Sequence, residues 1–224
     1  MSEEEAGSSP TPADPGVDPH DHLREDDYLG PVVAEFGELA LDPAEDAFQR
    51  LVVSIVRQQV SMASAAATRE RLFEAVDVTP EGIRAAADET LKEAGLSRQK
   101  TRYVNEIADR FADEGWTRAD FEEMTDNEVR ETLTDITGVG PWTAEMFLLF
   151  VLGRPDVFPV GDLGVREGLK TLLEPHDMAA ESMTRGDMRD FAERWAPVRS
   201  YATLYLWRVT EDIAADVAEV VEDG

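Results

Sequence analysis

Apolar residues recur at helical spacing along most of this chain. Phe48, Leu51, Val52, Ile55 and Val56 follow the i, i+3, i+4 rhythm and predict an amphipathic helix ending near Gln59. Ser61 to Val76 is alanine-rich and helical in character. Glu81 to Ala94 reads as one or two short helices closed by Gly95, and Ser97 is placed to cap a helix with Tyr103, Ile107 and Phe111 on one face. Asp126 is placed to cap a helix running to about Asp135. Pro141 opens an apolar helix that Gly153 ends. Asp162 starts another, and Arg185–Trp195 and Ser200–Glu219 complete the series. No strand pair and no solenoid-length repeat is legible, so the pattern predicts an all-α fold of roughly ten helices.

Residues 1–26 interrupt the rhythm with Pro, Gly, Ser and acids, and are expected to form a disordered acidic tail before a helical domain at 27–224. His20 and His22 lie in that tail as His-Asp-His. Two imidazoles in such a segment are read as solvated in preference to a metal site, and His176 as a surface residue.

Charge changes the picture more than length does. The 224 residues suit one large domain or two small lobes, but 48 acids stand against 21 lysines and arginines, for a net charge of −27. The acids are spread along the chain, and lysine occurs only at positions 92, 100 and 170. A dispersed acidic surface with few lysines is the composition of a protein of concentrated salt, a halophile's protein. The absence of cysteine excludes disulfides, thiolate-held iron–sulfur clusters and zinc-thiolate sites within the chain. No apolar run reaches the roughly 20 residues that span a bilayer. The opening Ser-Glu-Glu-Glu at 2–5 is unlike a signal peptide. The expectation is a cytoplasmic protein with no membrane partner.

The chemistry gathers between Leu133 and Leu169. Ile136-Thr137-Gly138-Val139-Gly140-Pro141 joins two helices by a tight turn. Glycines there permit positive φ and close backbone approach. The turn amides and the free N–H groups of the following helix make a seat for an anion. An ordinary glycine-capped turn is the competing reading of Gly-x-Gly alone. The flanking Leu133, Ile136, Trp142, Thr143 and Ala144 favour a helix–hairpin–helix that grips nucleic-acid phosphate without reading sequence. Downstream, Asp162 precedes Leu163-Gly164-Val165-Arg166. It reads as a helix N-cap or as a catalytic carboxylate, and its place after the hairpin helix favours the second. Asp135 and Asp156 are read as turn or solvated acids.

These residues resemble the helix–hairpin–helix DNA glycosylase superfamily, and most closely its 3-methyladenine DNA glycosylase II branch. Three more motifs occur in the same order: Phe48 to Ser61, ending Gln58-Gln59-Val60-Ser61; Leu91 to Tyr103, with Gly95-Leu96-Ser97 and Lys100; and Glu193 to Trp207, with Arg194-Trp195, Pro197 and Arg199-Ser200-Tyr201. The resemblance covers about residues 28–212. It implies two helical lobes around a central cleft, with the hairpin at 133–152, in a compact version without the N-terminal β domain of the best-known bacterial enzyme.

The resemblance also implies roles. Asp162 falls on the catalytic aspartate. Gly138, Gly140 and Thr143 fall on the phosphate grip. The carbonyls of Thr134, Ile136 and Val139 fall on those that bind a structural monovalent cation, K+ or Na+; no catalytic cofactor is implied. Trp207 matches a base-pocket aromatic, and Gln59 the side chain that fills the gap left by a flipped base. Met146 stands where that bacterial enzyme has a pocket tyrosine, and Gln59 where it has an apolar wedge. Trp142 and Tyr205 are further pocket candidates, with core packing as the alternative; Trp195 is assigned to the core. Gln58 is either a pocket hydrogen-bonder or a helix-end residue. Arg199 and Ser200 are candidates for backbone phosphate, with pairing of Arg199 to an acid as the alternative. Lyase-competent branches carry a lysine where this chain has Trp142, so no amine is present there for a Schiff base.

The function implied is a monofunctional glycosylase of base excision repair. It would hydrolyse the N-glycosidic bond of 3-methyladenine or 7-methylguanine in duplex DNA and act as a monomer. An endonuclease for abasic sites would follow only by functional handover. A glycosylase for uracil, deaminated or oxidised bases, and an inactive DNA-binding protein, are the alternatives.

Overall fold

The computed structural model describes residues 16–176 and 180–209, and among these it contains α-helices, short 3-10 turns and no β-strand. Two short helices come first, α1 (Pro19–Arg24) and α2 (Leu29–Phe36). One lobe follows: α3 (Ala47–Arg57), α4 (Met62–Ala75), α5 (Pro80–Ala85), α6 (Asp88–Glu93), α7 (Arg98–Glu114), α8 (Arg118–Glu122) and α9 (Asp126–Thr134). The hairpin then leads into α10 (Pro141–Phe150). The other lobe holds α11 (Leu163–Leu173), α12 (Arg185–Ala192) and α13 (Arg199–Arg208), with α1 and α2 packed against α13. Helix α10 lies against both α3 and α9. The fold is all-α, in two helical lobes.

Local chemistry explains the helix starts. Asp46, Ser61, Thr79, Ser97, Thr125, Asp162 and Thr184 each accept a first-turn amide. Thr125, not Asp126, is the cap of α9, because the Glu128 carboxylate reaches back to the Thr125 amide and closes a capping box. The segment 81–94 is two helices, α5 and α6.

Helices α11 and α13 meet at a closeness only glycine allows. A Cβ built on Gly168 would lie 2.0 Å from the Leu206 carbonyl oxygen. That contact sets the distance between the helix that begins at Asp162 and the helix that carries Trp207.

The expected disordered tail is corrected within the described residues. Pro19–Arg24 is a helix whose Leu23 is fully buried. His20 is not a solvated imidazole: its Nε2 lies 2.9 Å from the Leu39 carbonyl, and its ring packs edge-on against Tyr201 and Tyr205. His176 is exposed, with its ring edge against Tyr28. The rest of the expected tail, residues 1–15, and the expected helix from 210 to Glu219 lie outside the described residues.

Candidate active site

The sequence Phe158-Pro159-Val160-Gly161-Asp162 turns sharply, and the Asp162 amide donates to the Pro159 carbonyl at 2.8 Å. This delivers Asp162 to the N-terminus of α11, where its Oδ1 accepts the Val165 amide at 3.0 Å. It is an N-cap, as the local sequence says. It also accepts two indole N–H groups: Trp142 Nε1 reaches Oδ2 at 2.8 Å, and Trp207 Nε1 reaches Oδ1 at 2.9 Å. Residues from α10, α11 and α13, far apart in the chain, thus converge on one carboxylate. A carboxylate offers about four lone-pair positions. Three are taken, and the remainder lies on Oδ2. Such an acid is held rigidly and is suited to facing developing positive charge.

The loop before Asp162 is clamped by the start of α13. Arg199 grips Asp156 with both arms, Nε to Oδ1 at 2.7 Å and Nη2 to Oδ2 at 2.8 Å, and also bonds Glu193. Hydrogen bonding to Asp156 raises the Arg199 pKa above its ordinary value. Ser200 is fully buried, donates to the Arg154 carbonyl at 2.5 Å and accepts the Val157 amide at 2.9 Å. Ser200 is a buried loop fastener, which corrects the phosphate reading of its side chain, and Asp156 is structural. Arg199 takes its other reading, the pairing with an acid.

At the hairpin, Gly138 has φ 101°, and a Cβ there would fall 2.2 Å from the Tyr103 ring. Gly140 has φ −95° and open space where its Cβ would be. Only Gly138 needs glycine for its own fold; at Gly140 the vacancy faces outward. Gln58 caps α3 and donates through Nε2 to the Gly138 carbonyl at 3.1 Å and to Thr143 Oγ1 at 3.3 Å. It serves the hairpin, so the helix-end reading holds and the pocket reading is corrected. Thr143 is buried, so its hydroxyl stays inside the hairpin. Lys100 Nζ donates to the Val56 carbonyl at 2.5 Å, tying the same end of α3 to α7. Burial pulls the Lys100 pKa down.

Beyond Gln58 the chain turns outward. Gln59 is exposed and has φ 59°, which is costly for a non-glycine residue by about 1–3 kcal/mol. Val60 beside it is 42% exposed, and Leu163, next to Asp162, is 62% exposed. These two exposed apolar side chains were not singled out in the sequence.

The pocket aromatics divide. Trp207 and Trp142 meet the acid, whereas Tyr205 is fully buried and donates its hydroxyl to the Gly37 carbonyl at 2.6 Å. Tyr205 is a strut between α13 and α2, not a pocket residue. Met146 is buried on α10, one turn past Trp142, and Trp195 is in the core. Phe150, another turn on, stacks on Trp207 with ring centres 5.8 Å apart and planes at 15°. Phe150 and Glu145 were missed in the sequence because each looks like an ordinary helix position. Burial raises the Glu145 pKa and Asp162 adds to the rise, against the pull of Arg130 and Arg189. A cleft of about 320 Å³ runs past Glu145, Arg130, Arg189 and Arg199, without reaching Asp162.

An acid at a helix start, one helix earlier a glycine hairpin, and indoles from both sides define a class. Residues 52–197 match the model of the HhH-GPD superfamily of base excision DNA repair proteins, and the chain belongs to that family. Within it, the chain is 31% identical over 174 residues to a DNA-3-methyladenine glycosylase of Schizosaccharomyces pombe, covering 75% of this chain and 74% of that one. Its fold is similar to the crystal structure of a DNA-3-methyladenine glycosidase from Bacillus halodurans, at TM-score 0.74 and 32% identity over 88% of this chain and 92% of that one. It is also similar to the S. pombe 3-methyladenine DNA glycosylase in complex with abasic DNA, at TM-score 0.75 and 28% identity, covering 85% and 95%. The chain spans 56% and 57% of the length of two Bacillus subtilis relatives.

Proposed function

We propose that this chain is a monofunctional DNA glycosylase that hydrolyses the bond between deoxyribose C1′ and an alkylated purine in duplex DNA. The observation that carries this reading is Asp162 fixed by two indoles and a helix amide beside a phosphate-gripping hairpin. The names of its relatives support the substrate class. The target must leave the base stack, because C1′ is out of reach inside a duplex. The hairpin amides around Gly138 and Gly140 anchor the strand. Gln59, pushed outward by its strained backbone, fills the vacated space.

Alkylation at N3 or N7 makes the purine a cation, which favours aromatic faces. When the C1′–N bond breaks, its electron pair goes to the base, which departs neutral, and the sugar becomes an oxocarbenium ion. Asp162 stabilises that ion electrostatically, as carboxylates do in glycoside hydrolysis. Water adds to C1′ and gives up a proton, leaving an abasic sugar. Because Trp142 is no amine, the strand stays intact.

The carbonyls of Thr134, Ile136 and Val139 are the residues that would hold a monovalent cation at the hairpin. The Ile136 carbonyl accepts the Val139 amide at 3.0 Å, keeping the turn tight, and neutral carbonyl oxygens suit such an ion. Bound there, it would add positive charge behind the phosphate. Among the described residues no helix is long and apolar enough to cross a membrane. That the enzyme is cytoplasmic and monomeric, and hands abasic DNA to an endonuclease, is part of the same proposal.

Net charge of −27 opposes DNA binding at low salt. In molar salt the Debye length is about 3 Å, so distant acids stop mattering and contact groups decide. We infer activity in molar KCl.

The test is release of 3-methyladenine and 7-methylguanine from methylated duplex across KCl concentrations, for the natural chain and Asp162→Asn. The variant should still bind DNA and lose about 10²–10⁴-fold in rate. Its amide cannot accept from both indoles. Full activity of Asp162→Asn would overturn the assignment, and loss of activity of the natural chain above physiological salt would overturn the halophilic one.

A further inference from the structure

Arg50 is placed on α3 where a wall of rings ends. Its guanidinium carbon lies 4.9 Å from the centre of the Phe150 ring. Phe150 stacks on Trp207, and Trp207 donates to Asp162 at 2.9 Å. The wall therefore runs from a carboxylate, through two rings, to a guanidinium.

Among the described residues no carboxylate pairs with Arg50, and the charges that act on it are Arg57 and Arg69. Burial first, and this like charge second, pull its pKa down to about 10, so it is still a cation at neutral pH. In a chain with 48 acids to 21 basic residues, a partly buried cation left without an acid is a costly exception. The Phe150 face returns only part of that cost. A guanidinium is all donor and no acceptor, so what completes it must bring an oxygen.

We propose that Arg50 reads the far edge of the flipped base, selecting purines that present an oxygen there (7-alkylguanine and hypoxanthine) over 3-alkyladenine, which presents an amino group. The proposal rests on the glycosylase reading above. With C1′ at Asp162, the base extends away from the carboxylate along the wall, toward Phe150 and Arg50. An exocyclic oxygen accepts from the guanidinium. An exocyclic amino group sets donors against donors, and a cationic base without the oxygen adds repulsion. Hypoxanthine, neutral and carrying the oxygen, gains most. A backbone phosphate is the other anion of the complex, but eight residues of helix, about 12 Å, separate Arg50 from Gln58 at the hairpin. The contact with Phe150 is what favours the base over the strand, and the abasic duplex below tells the two apart.

The test compares the natural chain with Arg50→Gln. Both methylated purines are measured from one methylated duplex, and hypoxanthine from a second duplex. Arg50→Gln should raise the ratio of 3-methyladenine to 7-methylguanine released by about tenfold and depress hypoxanthine release by a similar factor. Arg50→Lys should lie between. Because both methylated bases are read in one reaction, a variant that folds poorly lowers both rates and leaves their ratio alone. An unchanged ratio would overturn the proposal. Affinity for a duplex with an abasic site, which has no base to read, should be the same in Arg50→Gln; a tenfold loss there would assign Arg50 to phosphate instead and overturn base reading. If the natural chain releases no base from either duplex, the glycosylase reading itself fails, and this is seen without any variant.

Discussion

Arg199 and Arg50 are both half-buried arginines in the surroundings of Asp162, and the protein treats them in opposite ways. Arg199 is locked by two carboxylates, which raise its pKa. Arg50 is flanked by like charge, which helps to lower its pKa. The first belongs to a region already complete: the hairpin and the loop before Asp162, where Gln58, Ser200, Trp142 and Trp207 all have partners. The second stands over the Phe150 ring with no carboxylate beside it among the described residues. The finished region holds the acid and the hairpin in shape through bonds already made, whereas the guanidinium of Arg50 has bonds left to make. Substitutions should therefore part company in stability across the two.

The largest effect is expected inside the finished region. Gly138→Ala forces a side chain into the Tyr103 ring at a backbone angle that L residues avoid. It should cost about 2–4 kcal/mol of unfolding free energy. Gly140→Ala, with nothing within 4 Å of its Cβ, should leave the urea midpoint nearly unmoved while weakening DNA binding. Equal destabilisation by the two would erase the distinction drawn between these glycines.

Next comes the arginine pair itself. Arg199→Met breaks charged hydrogen bonds and frees the loop before Asp162, for a loss of about 1–3 kcal/mol. Arg50→Met removes a cation that has no acid to lose, and should be neutral or stabilising. Matching losses in urea denaturation would mean that Arg50 has a structural partner after all.

The smallest effect is at Glu145. Its carboxyl pKa is raised above the ordinary 4.5, chiefly by burial. Between that ordinary value and the raised one, the folded state holds a proton the unfolded state has released. Stability from this group is therefore present at the acid end of the window and lost as pH rises through the folded pKa. Glu145→Gln should flatten the slope of urea midpoint against pH above 4.5 and make the protein modestly more stable at neutral pH. An unaltered slope would show that burial is not what controls this acid.

Much of this arrangement was legible in the chain. Helix periodicity, the proline and glycine limits of α10, and the cap at Asp162 are local properties, and local chemistry enforces them. Asp162 could be singled out because a hairpin precedes it at short range. What escaped was set by long-range partners. Tyr205 and Trp207 sit two apart on α13, and only the fold decides that one meets Gly37 and the other Asp162. Ser200 and Arg199 look like phosphate ligands in any basic motif, until Asp156 and Arg154 are seen beside them. Helix α1 has a single apolar anchor, Leu23, too little for a periodic signal. Arg50 sits on a mixed helix face, and a missing counter-ion leaves no trace in a sequence.

Trp207 comes from α13, whereas the hairpin and Asp162 precede it by some length of chain. During synthesis the order of emergence is therefore grip, then acid, then second indole. A nascent chain that has just exposed Asp162 holds the hairpin but lacks the ring that fixes the carboxylate from the other side. The hairpin is therefore translated before the setting of the carboxylate is complete, and a chain cut short between Asp162 and Trp207 would carry the hairpin without the second indole that fixes the acid.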